Sequence, residues 1–252
     1  MLFHNTTGKG QDIVLIHGWG FHGGIWHNLL PLLDGYRVTT VDLPGFGQSE
    51  LAVDRDKPLA QQYAEQVLAV APENAIWVGW SMGGLIATTA ALIAPERVNR
   101  LINVATTPYF VKQPDWPGIE IDVLESFFKR LTQDFKKTIT EFLLLQGKQM
   151  KEMAHTIKTL KLELFKYSMP NIKSLTTGMH LLQQTDLRKQ LCQLTQPVEY
   201  ILGQQDALVP VAVADHIPEL NPDVRVNIIE KAGHTPFLSH PEQFVELINA
   251  KV

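Results

Sequence analysis

The chain has 252 residues, of which 45% are hydrophobic and 19% charged, and its net charge is −4. These values are typical of one large globular domain, and they exclude a disordered or fibrous chain. The balance of 22 Lys and Arg against 26 Asp and Glu gives no basis for nucleic-acid binding. A single cysteine, Cys192, excludes an intrachain disulfide and a cysteine-rich metal site.

No segment of the sequence has the apolar pattern of a membrane-spanning helix or of a signal peptide. No apolar stretch approaches the ~20 residues that a membrane-spanning helix needs. The first ten residues, MLFHNTTGKG, lack the basic and apolar regions of a signal peptide. We therefore expect a cytoplasmic monomer with no membrane segment, no bound metal and no cofactor.

Short β-branched segments alternate with longer helical segments through the first hundred residues. The predicted strands are 13–16, 37–43, 75–80 and 98–105, and the predicted helices include 59–71 and 82–94. This alternation predicts βαβ units and a parallel sheet. In such a sheet the loops at the carboxyl ends of the strands form the active site.

The pattern changes near residue 107. From there to about 185 no segment resembles a strand, and helical periodicity follows Pro117. Strands resume at 198–203 and 224–229, before a closing helix over 241–251. We predict an α/β core made of residues 1–107 and 186–252. A helical lid, residues 108–185, is inserted within the same domain.

The strongest motif is Gly79-Trp80-Ser81-Met82-Gly83, which lies directly after a predicted strand and directly before a predicted helix. This is the G-x-S-x-G pattern in the strand–turn–helix setting that gives it meaning. The small residues allow a tight turn that projects Ser81 at the top of the sheet. We therefore predict that Ser81 is a nucleophile.

A serine nucleophile needs a base, and His234 is the best candidate among nine histidines. It lies between the last strand and the last helix, at the sheet edge where Ser81 also lies. His240, directly before Pro241, fits better as the residue that begins the final helix. His17 fits better as a buried, hydrogen-bonded histidine that braces its loop.

The base needs an acid that fixes its tautomer and stabilises the imidazolium ion. Asp206 follows the strand 198–203, one loop before His234, and gives the chain order Ser, Asp, His of α/β-hydrolases. Asp215 falls within the next helix, where we expect it to be solvated. Asp42 is better explained as a structural residue that braces its own turn.

Acyl transfer also needs an oxyanion hole, whose second donor comes from an early strand-to-helix loop. His17-Gly18-Trp19-Gly20 follows the strand 13–16 and fits that place. We assign the donors as the backbone N–H groups of Trp19 and Met82. The indole of Trp19 is expected to shape the substrate pocket.

Five segments together carry a family resemblance along the whole chain. They are HGWG, DLPGFG, GWSMGG, DWPGI and HTPFLSHP, in that order. The set resembles the α/β-hydrolase superfamily, which implies a mostly parallel sheet with helices on both faces and a helical lid. The tryptophans and DWPGI (115–119) make it similar to the pimeloyl-[acyl-carrier protein] methyl ester esterases of biotin synthesis.

The resemblance implies a serine carboxylesterase that converts pimeloyl-[acyl-carrier protein] methyl ester to pimeloyl-[acyl-carrier protein] and methanol. It implies no cofactor and an acyl carrier protein as partner. A lid segment of the family also binds substrate. The implied substrate-binding residues are Trp19, Ser81, Met82 and His234, with Phe142, Leu143, Leu144, Leu145 and Gln146 from the lid.

The lid is basic although the chain is acidic. Between residues 129 and 173, ten Lys and Arg outnumber four Asp and Glu. The segment therefore carries +6, which leaves −10 for the rest of a chain whose total is −4. Such a surface would steer and hold an acidic carrier protein. The predicted docking residues are Lys137, Lys148, Lys151 and Lys158.

The family pattern is not matched throughout the lid. The family has arginines on this surface where this chain has mostly lysines, and a cation is expected where Glu141 stands.

Two other functions remain open from the residues alone. A general short-chain carboxylesterase or a hydrolase of carbon–carbon bonds uses the same triad. A non-catalytic small-molecule receptor could share the fold, although the intact triad argues against it. A haloalkane dehalogenase is excluded, because its nucleophile is a carboxylate.

Overall fold

The computed structural model describes residues 1–54, 56–146 and 153–250, without the side chains of 145, 146 and 153–156. The described residues form seven strands and nine α-helices. The strands are β1 (His4–Gly8), β2 (Gln11–Ile16), β3 (Tyr36–Val41), β4 (Ala75–Trp80), β5 (Val98–Val104), β6 (Val198–Gly203) and β7 (Arg225–Ile229). The helices are α1 (Leu59–Leu68), α2 (Met82–Ile93), α3 (Ile121–Gln133), α4 (Phe135–Gln146), α5 (Met153–Leu164), α6 (Ile172–Gln184), α7 (Val213–Leu220), α8 (Pro236–Ser239) and α9 (Pro241–Asn249).

The strands form one sheet in the order β1-β3-β2-β4-β5-β6-β7. All neighbours are parallel except β1, which pairs antiparallel with β3. The parallel arrangement brings the loops after β2, β4, β6 and β7 to one edge of the sheet. The predicted mostly parallel sheet is confirmed.

The sheet is buried on both faces at its centre. Every residue of β4 and of β6 is buried, and alternate residues of a strand point to opposite faces. Helices therefore cover both sides, as predicted. The helix α2 is buried from Met82 to Ala91, which explains why its sequence is apolar all round rather than on one stripe.

The six strands predicted from hydrophobic runs all form, with ends that differ by at most two residues. The edge strand β1 was not predicted. Its sequence, HNTTG, is polar, and all five of its residues are exposed. No hydrophobic alternation marks it, because it buries neither face.

The helices α3 to α6 lie between β5 and β6 in the chain, where the sequence predicts the lid. Before α3, the DWPGI segment folds back on the residues that precede it, with bridges between Val111 and Ile119 and between Gln113 and Trp116. The boundaries of the lid at 108 and 185 stay a prediction. Among the described helices, none is both long and apolar enough to cross a membrane.

A buried ion pair ties the sheet to the last helix. Arg100 of β5 donates from Nε to Glu199 Oε1 of β6 at 2.7 Å, and both side chains are almost fully buried. The same guanidinium donates to the carbonyls of Ile248 at 2.6 Å and Leu247 at 3.0 Å. These carbonyls belong to the last turn of α9, which has no intrahelical donor for them.

We expect Glu199→Ala to lower the free energy of unfolding by about 3–5 kcal/mol, because it leaves the buried Arg100 charge without a counter-ion. Urea denaturation measures this loss. Asp12→Ala is the matched control, since it breaks the Arg37–Asp12 pair on the surface, where Arg37 is half exposed. The control should cost less than about 1 kcal/mol. Equal losses in the two variants would contradict a structural role for the buried pair.

Candidate active site

Ser81 lies in a strained turn between β4 and α2. Its φ is 54° and its ψ is −121°, a left-handed conformation that costs a non-glycine residue roughly 1–3 kcal/mol. A side chain on Gly79 would collide with the backbone of Gly83, and one on Gly83 would collide with the carbonyl oxygen of Ile16. The two motif glycines therefore let the strand and the helix approach closely enough to form this turn.

Hydrogen bonds hold the strained residue from both sides. The Ser81 N–H donates to the carbonyl of Val104 at 2.9 Å. Its carbonyl accepts from the Gly84 N–H at 2.9 Å and from the Thr106 hydroxyl at 2.8 Å. With its backbone fixed at three points, Ser81 presents its side chain at the carboxyl edge of the sheet.

Asp206 and His234 form a buried pair. Nδ1 of His234 lies 2.7 Å from Asp206 Oδ2, and 3% or less of either side chain is exposed. The other carboxylate oxygen accepts from the backbone N–H groups of Leu208 at 2.8 Å and Val209 at 3.0 Å. Asp206 is thereby held as an acceptor that orients the imidazole ring, as a triad requires.

The loop that carries His234 is fixed by two further contacts. The indole N–H of Trp80 donates to the carbonyl of His234 at 2.7 Å. Gly203, at the end of β6, lies so close to the Gly233 carbonyl that a side chain there would collide with it. Trp80, the residue before Ser81, therefore also positions His234, and the Asp206 and His234 loops are in contact.

The loop after β2 lies beside the start of α2. Ile16 pairs with Gly79, so the residues that follow Ile16 pass next to Ser81. Met82 is the first residue of α2, where an N–H group has no intrahelical acceptor. Among the described residues, none accepts a hydrogen bond from the backbone N–H of Trp19 or of Met82. Both groups meet the chemical requirement for oxyanion donors.

The Trp19 side chain connects this loop to the lid. Its indole N–H donates to the carbonyl of Leu175 in α6 at 3.0 Å. A side chain on Gly178, one turn further along α6, would collide with the indole. On the α3 side, the indole stacks on Phe128 with an interplanar angle of 3° and meets Phe127 edge-on.

Ser81 and His234 line one narrow cavity between the core and the lid. The remaining lining is apolar: Trp19, Phe21, Trp80, Phe110, Ile119, Leu124, Phe127, Phe142, Leu182 and Leu208. No described group of three or more His, Cys, Asp or Glu side chains could hold a metal ion.

Comparisons with known proteins agree with the fold. A family model described as the alpha/beta hydrolase fold matches residues 13–241. The pimeloyl-[acyl-carrier protein] methyl ester esterase of Photobacterium profundum is 44% identical over 96% of this chain and 95% of its own length. The esterase of the same name from Aeromonas hydrophila is 43% identical, with the same coverage of both chains.

The chain belongs to the α/β hydrolase fold family and, within it, to the family of these esterases. Among solved structures, an esterase from Exiguobacterium antarcticum superposes with a TM-score of 0.84 over 98% of this chain and 93% of its own. At 23% identity, that likeness concerns the fold.

The structure separates the lid residues that the family resemblance implies. Phe142 lines the cavity, and its ring packs edge-on against His234 at 6.1 Å. Leu143 is buried in the core and does not line the cavity, whereas Leu144 is half exposed on the other side of α4. The side chains of Leu145 and Gln146 lie outside the described part of the structure.

Several cavity residues were not identified from the sequence. They are Phe21, Trp80, Phe110, Ile119, Leu124, Phe127, Leu182 and Leu208. Trp80 and Ile119 stand within the GWSMG and DWPGI motifs, so the motifs contained a usable signal for them. The others come from lid helices and loops, where their apolar character is no different from that of core residues.

The predicted docking lysines are only partly described. Lys137 on α4 and Lys158 on α5 are exposed, whereas Lys148 and Lys151 fall outside the described residues. Ile157, Leu160 and Leu164, which share one face of α5, are buried. The helix therefore packs by one side and presents Lys158 on the other.

His17 has the bracing position expected from the sequence. Its Nδ1 donates to the Gly18 carbonyl at 2.8 Å, and its Nε2 accepts from the Leu43 N–H at 2.9 Å. Burial lowers the pKa of His17 to about 3, and the nearby His22 adds to this while the bond to Gly18 opposes it. His17 therefore stays neutral and links two loops at the carboxyl edge of the sheet.

Three other polar residues also take the structural places predicted for them. Asp42 accepts from the backbone N–H of Gly23 at 2.7 Å and of Gln48 at 2.9 Å, which braces its turn. His240 precedes the first residue of α9. Asp215 lies exposed within α7.

We expect the depressed pKa of His17 to make the protein lose stability in mild acid. Below about pH 6.5 the His17 imidazole of the unfolded chain binds a proton, whereas in the native chain it stays neutral down to about pH 3. The free energy of unfolding should therefore decrease as the pH is lowered through this window, by up to roughly 1.4 kcal/mol per pH unit. Urea denaturation between pH 7 and pH 4 measures the slope.

His17→Gln should be less stable at pH 7 but should have a shallower slope, since it removes the group that titrates. His27→Gln, which changes an exposed histidine, is the control and should follow the wild type. A slope in His17→Gln as steep as in the wild type would show that His17 is not responsible.

Proposed function

We propose that the chain is the esterase that hydrolyses pimeloyl-[acyl-carrier protein] methyl ester to pimeloyl-[acyl-carrier protein] and methanol in biotin synthesis. The observation that carries this proposal is one apolar cavity with Ser81 and His234 in its wall and Asp206 behind His234. The esterases to which the chain is 43–44% identical bear the name of this activity.

In the first half of the reaction Ser81 Oγ attacks the methyl ester carbonyl. His234 accepts the serine proton, and Asp206 stabilises the imidazolium that results. The negative charge on the carbonyl oxygen is held by the N–H groups of Trp19 and Met82, each worth about 3–4 kcal/mol in the transition state. His234 then protonates the departing oxygen, the C–O bond breaks, and methanol leaves an acyl-serine.

In the second half water replaces methanol. His234 takes a proton from the water, whose oxygen attacks the acyl-serine through the same oxyanion intermediate. The bond to Ser81 Oγ breaks as His234 returns a proton to the serine. The products are a free carboxylate at the end of the pimeloyl chain and the regenerated enzyme.

The cavity chemistry suits this substrate more than a charged one. Ten of its twelve lining residues are apolar, and none is a Lys or Arg. A methylene chain that ends in a neutral methyl ester loses little by entering such a space, whereas a carboxylate pays a desolvation cost. The product acid is therefore bound less well than the ester, which favours its release.

We expect the intact enzyme to remove one CH₂ from the mass of pimeloyl-carrier methyl ester, because hydrolysis turns the methyl ester into an acid. Mass spectrometry of the carrier species detects this change. Ser81→Ala should lose on the order of 10⁴-fold or more in rate with its fold retained, since it lacks the nucleophile.

Substantial hydrolysis by Ser81→Ala would overturn the nucleophile assignment. Cleavage of small esters without cleavage of the carrier-bound ester would indicate a general carboxylesterase. Inertness toward both, and toward a serine-directed phosphonate, would indicate a binding protein instead.

We further propose that an acidic carrier protein docks on the lid through its exposed lysines. Lys137 and Lys158 are exposed on α4 and α5, which belong to the segment of charge +6. Opposite charge across an interface speeds encounter and fixes orientation. Lys148 and Lys151, in the connection between the same helices, belong to this proposal by sequence.

We expect Lys137→Glu and Lys158→Glu each to raise KM for the carrier-bound ester about three- to fivefold, the effect of a lost surface charge contact. KM for dimethyl pimelate should not change. Lys9→Glu is the matched control, because Lys9 is exposed in the turn before β2, at the opposite edge of the sheet. Equal effects on both substrates, or an equal effect of Lys9→Glu, would contradict docking on the lid.

The same proposal places the enzyme in the cytoplasm, with its carrier-bound substrate. It also makes the enzyme a monomer, because the described residues of one chain complete the cavity and the triad. Light scattering at assay concentration tests the second statement.

A further inference from the structure

An open vestibule adjoins the catalytic cavity. It is formed by α3, α4 and the loop after β6, and it shares Phe127, Phe142 and Leu208 with the cavity. The rings of Phe127 and Phe142 lie 6.1 Å apart, at the junction of the two spaces. The ring pair therefore separates the two spaces, and a ligand that extends from Ser81 beyond the cavity would pass it to enter the vestibule.

The vestibule differs from the cavity in its chemistry. Its lining includes the polar side chains of Asp122, Ser126, Arg130 and Thr138. Arg130 follows Phe127 by three residues on α3, so both side chains project from the same face of the helix. The lining therefore changes from apolar to polar side chains within one turn of α3.

Arg130 is held at the vestibule by Glu141. Nη2 of Arg130 donates to Glu141 Oε2, an ion pair between α3 and α4 with both side chains about half exposed. A guanidinium group has five N–H donors in a rigid fork, and this bond uses only one side of it. The family resemblance leads us to expect a cation at position 141. This chain has Glu141 there, and Arg130 on the neighbouring helix supplies the positive charge.

We propose that this vestibule binds the amide-bearing pantetheine arm of the substrate, with Arg130 donating a hydrogen bond to a carbonyl of the arm. Glu141 is a positioning residue that orients the guanidinium. This proposal rests on the proposed function, because only a carrier-bound substrate has such an arm.

The order of groups along the substrate supports this assignment. From the methyl ester outward come methylenes, the thioester, the amides of the arm and then the carrier protein. From Ser81 outward come the apolar cavity and then the vestibule with Ser126 and Arg130. The methylenes thus match the apolar cavity, and the amides of the arm match the polar vestibule.

Two uncharged diesters separate contact with the arm from long-range electrostatics. One is pimeloyl-pantetheine methyl ester, which has the arm without its phosphate or the carrier. The other is dimethyl pimelate, which has no arm. We expect the wild type to have a lower KM for the pantetheine ester, since only that ester reaches the vestibule.

Arg130→Ala should raise KM for the pantetheine ester about tenfold, as for the loss of one hydrogen bond from a charged donor. It should leave kcat unchanged and KM for dimethyl pimelate unchanged. Lys129→Ala is the matched control: it removes the same charge from the adjacent, exposed position of α3, and Lys129 does not line the vestibule. We expect it to behave as the wild type.

Glu141→Ala tests the positioning role. It should raise KM for the pantetheine ester about threefold with Arg130 present, and should have no effect in the Arg130→Ala background, because its only action is through Arg130. An equal effect of Glu141→Ala in both backgrounds would show that Glu141 acts independently, which overturns its role.

Three results would overturn the arm site alone: no KM advantage of the pantetheine ester in the wild type, equal KM changes for both diesters in Arg130→Ala, or equal behaviour of Arg130→Ala and Lys129→Ala. Failure of the wild type to cleave either diester or the carrier-bound ester would instead overturn the proposed function, and the arm site with it.

Discussion

The turn at Ser81 is the constraint on which the other parts of the site depend. A non-glycine residue at φ 54° is unfavourable by roughly 1–3 kcal/mol, and the surrounding packing has to hold it. Gly83 allows α2 to lie against the end of β2, which brings the Trp19 loop beside the nucleophile. Trp80, the residue before Ser81, fixes the backbone of His234. One tight turn thereby determines where Ser81, the N–H groups of Trp19 and Met82, and His234 lie.

The sequence predicts this part of the molecule well, because the information is local. Fully buried parallel strands appear as continuous apolar runs, and β4 and β6 were identified on that basis. Asp206 and His234 follow two such strands, whose carboxyl ends meet at one edge, so their proximity could be expected before their 2.7 Å contact was seen. The chemistry of a triad then limits which residue types can occupy those places.

The parts that were not predicted depend on contacts between distant segments. The strand β1 has no apolar face, so only its pairing with β3 identifies it. In the lid, the side chain of Phe142 on α4 faces His234 and that of Leu144 faces solvent, although both are large apolar residues in one short run. Periodicity marks a helix and its buried stripe, but it does not distinguish a stripe that faces a cavity from one that faces other side chains.

The contact between Trp19 and α6 has a consequence for exchange of lids between enzymes of this fold. The indole bonds to the Leu175 carbonyl and occupies the space that a side chain at position 178 would fill. The lid and the loop that carries Trp19 are therefore matched parts, not independent modules. A transplanted lid that brings a larger residue to position 178 would displace the indole and, with it, the backbone beside the nucleophile. Recombination of this fold should succeed when both sides of this contact are inherited together.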